Sequence, residues 1–321
     1  MDRSEIEFLD SCGIRPLEKI AHGSFGEVWK VYSFQYNSYF ALKKILLTKF
    51  DEKEIECMKL IDHSYIVNLY NYYTCNNYVY MLLEYCNYDL EKYIASNETL
   101  CFTDKRRIIS ACITAVKACH DHSISHSDIK PSNFLFDKYN RIKLGDFGLS
   151  SSYKQEELCD SFRGTKVFMA PEILKKIDFD PFKSDIWALG VTIYYIATGL
   201  YPFIANDSRQ LYDRITSGVF SVDHIHDANL IKVIRRCLDL NPQNRPTCDE
   251  LLKMPFFIRG IPTGKSTLIK QSFSATRNLI LNEKICKPRV HRNSYHLGNG
   301  QLSTGSNSFL NSSSNSSRVQ E

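Results

Sequence analysis

The run His126-Ser127-Asp128-Ile129-Lys130-Pro131-Ser132-Asn133-Phe134-Leu135-Phe136 constrains this chain more than any other stretch. It sets a carboxylate, an ammonium and an amide two and then three residues apart, at Asp128, Lys130 and Asn133. The apolar residues after Asn133 predict a short strand that pins the loop to a core. Thirteen residues beyond Asn133 comes Asp146-Phe147-Gly148, a second carboxylate followed by a glycine free to take unusual backbone angles. A base, a cation that neutralises phosphate and two oxygen ligands for magnesium are the set that phosphoryl transfer from a nucleotide requires.

These two motifs resemble the catalytic loop and the metal-binding motif of the eukaryotic protein kinases, in the serine/threonine form of the loop. The resemblance covers about residues 15–258. It implies an α+β, bilobal protein-kinase-like fold. An N-terminal lobe over about 15–86 would hold an antiparallel β-sheet and one main helix, and a larger, mainly helical C-terminal lobe would span 87–258. ATP would lie in the cleft between them, a common place for a ligand. Residues 1–14 read as a lead-in and 259–321 as a tail.

Further motifs follow in family order. Leu17 to Val31 reads as two strands joined by His22-Gly23-Ser24-Phe25-Gly26, whose glycines would let backbone amides approach a polyphosphate. The resemblance assigns Ala21, His22, Gly23, Ser24, Phe25, Gly26 and Val28 to nucleotide contact, although the family's first glycine is here Ala21. Tyr39 to Ile45 is strand-like. Within it Ala41 and Lys43 match the adenine wall and the lysine that holds the α- and β-phosphates. Asp51 to Ile61 reads as a helix with Ile55, Met58 and Leu60 available for packing. Its Glu54 matches the partner of that lysine, with Glu52 and Glu56 as neighbouring competitors. The eleven-residue gap from Lys43 to Glu54 is shorter than most of the family shows.

Two more strands are expected within 70–85, around the polar turn Cys75-Asn76-Asn77. By resemblance Leu83 backs the adenine pocket, the backbone of Glu84 and Cys86 bonds the adenine, Asp89 lies near the ribose and Leu135 lines the cleft floor. A helix is expected to open near Phe102-Thr103-Asp104, with Ile108, Ile109, Cys112, Ile113, Val116 and Cys119 at helical spacing. The polar, serine-rich run 149–163 reads as a mobile segment, closed by Gly164 to Glu172 with the family's Ala-Pro-Glu ending. Arg245 is placed to pair with Glu172.

The chemistry assigned through the resemblance is specific. Asp128 is the base and orienting group for a substrate hydroxyl, and Lys130 steadies the transferred phosphoryl group. Asn133 and Asp146 supply hard oxygens suited to Mg2+. The expected activity is transfer of the γ-phosphate of ATP to serine or threonine hydroxyls of a protein substrate. Thr165 agrees with the serine/threonine form. Ser127 departs from the family, which mostly carries arginine there. A serine makes no demand for a neutralising activation-loop phosphate. Together with Ala21 and the short Lys43–Glu54 gap, it also leaves open a second reading, a pseudokinase that binds nucleotide or protein without turnover.

Composition narrows the setting. The chain has 321 residues, 43% of them hydrophobic and 24% charged, in the range of ordinary globular proteins. A formal charge of +4 gives no argument for nucleic acid, and none is expected as a partner. Met1 to Asp10 carries five charged residues, unlike a secretory leader. The apolar run Ile186 to Phe203 reads as a buried core helix and not a membrane span. Eleven cysteines, an odd number with no C-x-x-C pair, read as reduced, mostly buried thiols of a cytoplasmic or nuclear protein. Between Gly264 and Arg292 lie seven Lys or Arg and one acid, and 293–317 carries no Asp, Glu, Lys or Arg. This tail is expected to be disordered. Its Gly264-Lys265-Ser266 mimics the end of a P-loop, but the required earlier glycine is Arg259. No regulatory partner is assigned.

Overall fold

A computed structural model describes residues 1–23, 26–97, 100–152 and 166–258. The chain divides into two units, Met1–Thr263 and Gly264–Glu321. The tail, together with Ser24, Phe25, Thr165 and most of the serine-rich segment, lies outside the described residues.

The N-terminal part holds a helix the sequence reading treated as lead-in, α1 (Arg3–Ser11). It starts on a reciprocal cap. Asp2 accepts from the Glu5 backbone N–H at 2.9 Å, while the Glu5 carboxylate accepts from Asp2 N–H at 2.7 Å. Strands β1 (Ile14–Gly23), β2 (Gly26–Ser33) and β3 (Ser38–Leu46) follow, then α2 (Glu52–Leu60), β4 (Leu69–Cys75) and β5 (Tyr78–Glu84). The five strands form one antiparallel sheet in the order β1-β2-β3-β5-β4. Asp51 caps α2 through the Lys53 backbone N–H, which satisfies one of the donors a helix start leaves orphaned. Of the residues expected to pack from α2, Ile55 and Met58 are buried, but Leu60 is 58% exposed. It sits at the frayed last position of a helix of nine residues, turned off the packed face.

Register sorts the sheet into two working faces, because side chains alternate along each strand. Val28 stands opposite Lys43, and Ala41 opposite Leu83, so these four share one face. Phe40, Leu42, Tyr80 and Leu82 share the other and form a separate core with Leu9, Ile14 and Val31, covered by α1. Gly26 has φ of +142°, and a Cβ there would sit 2.0 Å from the Lys44 carbonyl oxygen, so only glycine lets β2 begin against β3.

The remaining elements are β6 (Tyr88–Asp89), α3 (Leu90–Ser96), α4 (Phe102–Asp121), β7 (Ile124–Ser125), β8 (Phe134–Phe136), β9 (Ile142–Leu144) and β10 (Ser151–Ser152). After them come α5 (Pro171–Leu174), α6 (Pro181–Thr198), α7 (Ser208–Ser217), α8 (Ala228–Cys237), α9 (Cys248–Leu252) and α10 (Pro255–Ile258). Residues at helical spacing along α4, Ile109, Cys112, Ile113, Val116 and Cys119 among them, are fully buried. The apolar run Ile186 to Phe203 lies in α6 only as far as Thr198, because Gly199 ends the helix in the left-handed region, and α6 itself starts earlier on the Asp180 cap. Among the described residues no helix is long and apolar enough to cross a membrane. Part of the serine-rich run is ordered, since β10 pairs with β7. This is the two-lobed architecture expected: an antiparallel sheet with α2, joined to a mainly helical lobe.

Candidate active site

Two short strands carry the site. β8 and β9 pair antiparallel, Phe134 opposite Leu144 and Phe136 opposite Ile142. Asn133 immediately precedes β8 and Asp146 follows β9 by two residues, so the hairpin brings a carboxamide and a carboxylate together from positions thirteen apart. Gly145 N–H donates to the Asn133 carbonyl at 3.0 Å, which closes this end. Ser127 and Asp146 both lie in the left-handed region, with φ of 62° and 61°. Non-glycine residues held there are strained, and such strain concentrates where a fold over-determines a working geometry.

Lys43 reaches across from the sheet. Its Nζ lies 2.7 Å from Glu54 Oε1 and 2.8 Å from Asp146 Oδ1. The short gap between Lys43 and Glu54 therefore does not prevent their pairing. Burial works against the charge on Lys43, but the Asp146 and Glu54 carboxylates outweigh it and hold the ammonium above its ordinary range. Burial would likewise raise the Asp146 carboxyl, yet the Lys43 ammonium beside it keeps it below the usual carboxylate range. A Cβ at Gly148 would meet Asp146, Glu54 and Lys43 at 3.5, 3.6 and 3.7 Å, ordinary van der Waals contact, so Gly148 packs directly against all three.

Asp128 is buried and firmly held. Lys130 Nζ lies 2.7 Å from its Oδ2, and Asn133 Nδ2 donates to the same oxygen at 3.0 Å and to the Asp128 carbonyl at 2.7 Å. With its nitrogen so committed, Asn133 turns its carbonyl oxygen to whatever cation arrives. Asn133 and Asp146 are hard oxygen donors, and a small divalent cation commonly takes only one or two protein ligands beside phosphates and water. No cluster of three or more His, Cys, Asp or Glu able to hold a metal occurs among the described residues. This donor set fits magnesium brought in with a nucleotide, and does not make an all-protein cage.

The nucleotide-facing expectations fall as follows. Ala21, His22 and Gly23 pair with Val28, Glu27 and Gly26 in the β1–β2 hairpin. Val28, Ala41 and Leu83 share the sheet face of Lys43. Leu135 stands opposite Asp89 and Lys143 in the separate β6-β8-β9 sheet. The Glu84 side chain is turned to Lys143 Nζ at 2.7 Å and Asn68 Nδ2 at 3.2 Å. The Asp89 carboxylate is engaged at home, capping α3 through Lys92 N–H at 2.8 Å. Cys86 is half-buried, and burial followed by Glu84 pushes its thiol up to about 12, so it is no nucleophile at neutral pH.

Sequence reasoning overlooked the residue that suspends the loop. Asp185, buried in the second turn of α6, accepts from His126 N–H at 2.8 Å, Ser127 N–H at 2.9 Å and Ser125 Oγ at 3.0 Å, with His120 Nε2 at 3.0 Å. Burial opposes its charge, but the His120 contact and the backbone donors hold the carboxyl below its ordinary range. An acid immediately before the apolar run from Ile186 was the available signal. Lys143 was also missed. It is a buried lysine between Ile142 and Leu144, and it bonds Glu84 and the Ile66 carbonyl. Arg245 and Glu172 form a buried two-pronged pair at 2.6 and 2.8 Å, as their order in the sequence suggested.

A sheet-bearing lobe over a helical lobe, with a paired lysine, a held carboxylate and two metal-type oxygens in between, defines a nucleotide-dependent phosphotransferase fold. Residues 14–257 match the protein kinase domain family, and the chain belongs to that family. It is 28% identical over 279 residues to CBL-interacting serine/threonine-protein kinase 18 of Arabidopsis thaliana, covering 84% of this chain and 51% of that protein. It is 30% identical over 253 residues to CBL-interacting protein kinases 15 and 14 of Oryza sativa subsp. japonica, in each case over 75% of this chain and 58% of the relative. The chain thus spans little more than half the length of these relatives.

Proposed function

We propose that this chain is an ATP-dependent serine/threonine protein kinase that works with magnesium. The observation that carries the reading is the convergence of Lys43, Glu54 and Asp146 within 2.8 Å contacts beside an Asp128 held by Lys130 and Asn133. Lys43 holds the nucleotide's non-transferred phosphates, and Glu54 keeps it aimed. Asn133 and Asp146 would hold a magnesium ion, which would supply screening of the phosphates' negative charge. Asp128 Oδ accepts the proton of the attacking hydroxyl. Lys130, now paired with Asp128, is placed to steady the three equatorial oxygens of the transferred group. Leu83, Ala41, Val28 and Leu135 give the adenine an apolar slot, and the hinge backbone at Glu84 and Cys86 supplies its hydrogen bonds.

Serine and threonine specificity is supported by the Lys130-bearing form of the loop. The relatives, all named as kinases and one of them as a serine/threonine-protein kinase, support it too. The same reading takes a protein as substrate and places the chain in the cytoplasm or nucleus. Burial of the free thiols Cys57, Cys112, Cys119, Cys237 and Cys248 supports that placement. Phosphate transfer from labelled ATP to a generic basic protein is the test, followed by phosphoamino-acid analysis. Asp128→Asn should lower the rate on the order of a hundredfold to ten-thousandfold, the range general bases contribute. Equal counts from both forms would overturn the reading.

A further inference from the structure

A second concavity lies away from the nucleotide cleft. A groove of about 350 Å³ opens between α4 and the β8–β9 turn, with Ser64 and Tyr65 as its third wall. Two arginines line it, Arg107 from α4 and Arg141 from the turn, together with the hydroxyls of Ser64, Ser110 and Tyr139, and no carboxylate does. About fourteen residues of α4 separate Arg107 from the helix end nearest the catalytic loop, roughly 20 Å at the rise of an α-helix.

The turn is a built structure. Asp137, buried, accepts from the backbone N–H of Tyr139 at 2.8 Å and of Arg141 at 2.9 Å, and from Arg141 Nε at 2.7 Å. Asn140 takes a left-handed φ of 57°, and its side-chain oxygen accepts from Tyr88 Oη at 2.7 Å. A guanidinium carries five N–H donors, so the pair with Asp137 orients Arg141 without exhausting it. Arg141 remains 55% exposed, and its Cζ lies 5.0 Å from the Tyr139 ring centroid, with Lys138 Nζ at 5.1 Å. Arg107 is 59% exposed, and its ion-pair contact with Asp104, at 3.6 Å, is long and solvated. One oriented and one solvent-exposed guanidinium, an exposed ring and hydroxyl donors in one concave surface complement an anionic partner.

We propose that this groove docks an acidic peptide segment of a partner protein, with an anionic side chain against Arg107 and Arg141 and its neighbours against the apolar floor. The hairpin under the groove runs straight to Asn133 and Asp146 at its other end. Docking would therefore tether a partner to the same rigid element that carries the metal-type oxygens.

Binding is read directly, independently of phosphotransfer, with the full chain and a fluorescein-labelled degenerate peptide pool that alternates glutamate with apolar positions. A pool with glutamine in place of glutamate is the control. The glutamate pool should bind more tightly, and Arg107→Glu should weaken it by about tenfold or more, as expected when like charges are set face to face. Arg107→Lys should recover part of the loss. An unweakened Arg107→Glu would overturn the proposal, since the pool would then sit elsewhere, such as on the basic stretch 264–292. Displacement by a nucleotide analogue, or equal binding of the two pools, would overturn it as well.

Discussion

Lys43 has two carboxylates within 2.8 Å and almost no access to water, so its charge is held by neighbours and not by solvent. Lys43→Met should abolish phosphotransfer and the thermal stabilisation by ATP with magnesium, which for the wild type should reach about 2.7 kcal/mol at a hundredfold excess over Kd. Calorimetry of both forms checks this. The Asp146 carboxyl lies below its ordinary 3.8 in the folded chain. Its contribution to stability is thus present above that value and lost as pH falls through the folded one. Urea midpoints of wild type and Asp146→Asn should converge in acid below about 3.8 and separate at neutral pH. Lys43 mirrors this at the alkaline end, where its contribution is complete below 10.5 and lost only as pH climbs past its raised folded value. Ser127 belongs to the same group. Its N–H bonds Asp185 and its hydroxyl meets Ser125 at 3.2 Å, so no cation at this position awaits a phosphate. Single alanine substitutions at Ser151, Tyr153 or Ser161 should leave activity within about twofold. Near-complete loss from any of them would refute this.

The least anticipated element is α1. The sequence 1–14 looked like a charged lead-in because Glu5 reads as a surface residue, yet its carboxylate is buried against Lys44 and accepts from Tyr80 Oη at 2.6 Å. Burial would raise the Glu5 carboxyl, but Lys44 and Tyr80 together hold it below its ordinary range. Lys44 neighbours Lys43 on β3 and points to the opposite face, so α1 braces from behind the strand that carries the phosphate lysine. Glu5→Ala should leave Lys44 uncompensated and cost about 3–5 kcal/mol, the range for breaking a buried pair. Glu5→Gln should cost less. Denaturant melts of the two would order them. By contrast β1 to β5 and α2 were legible, since alternation, the Cys75-Asn76-Asn77 turn and the helical spacing of Ile55 and Met58 are local signals. Leu60 misled because helical spacing does not say where a helix end points.

For the molecule as a whole, α6 is the beam that holds the catalytic loop and, through Arg245, the Ala-Pro-Glu segment at Glu172. Asp185 in its second turn suspends the catalytic loop, and Arg245 stacks on Trp187 while it grips Glu172. Removing the carboxylate with Glu172→Ala should strand a buried guanidinium, lowering stability by about 3–5 kcal/mol. Activity should fall with it, because α5 and the segment before it lose their anchor. Arg245→Lys should recover little, since an ammonium cannot make the two-pronged contact. Unfolding and rate measurements on the same preparations separate the two effects. The amino-acid order settled which chemical groups are present and how far apart along the chain they fall, because spacing and residue type are properties of a line of letters. Folding in three dimensions settled their partners: Asp185 under the catalytic loop, Glu5 beneath Lys44, Lys143 against Glu84, and two arginines facing one groove. Burial, charge compensation and the approach of distant segments exist only once the chain has closed on itself.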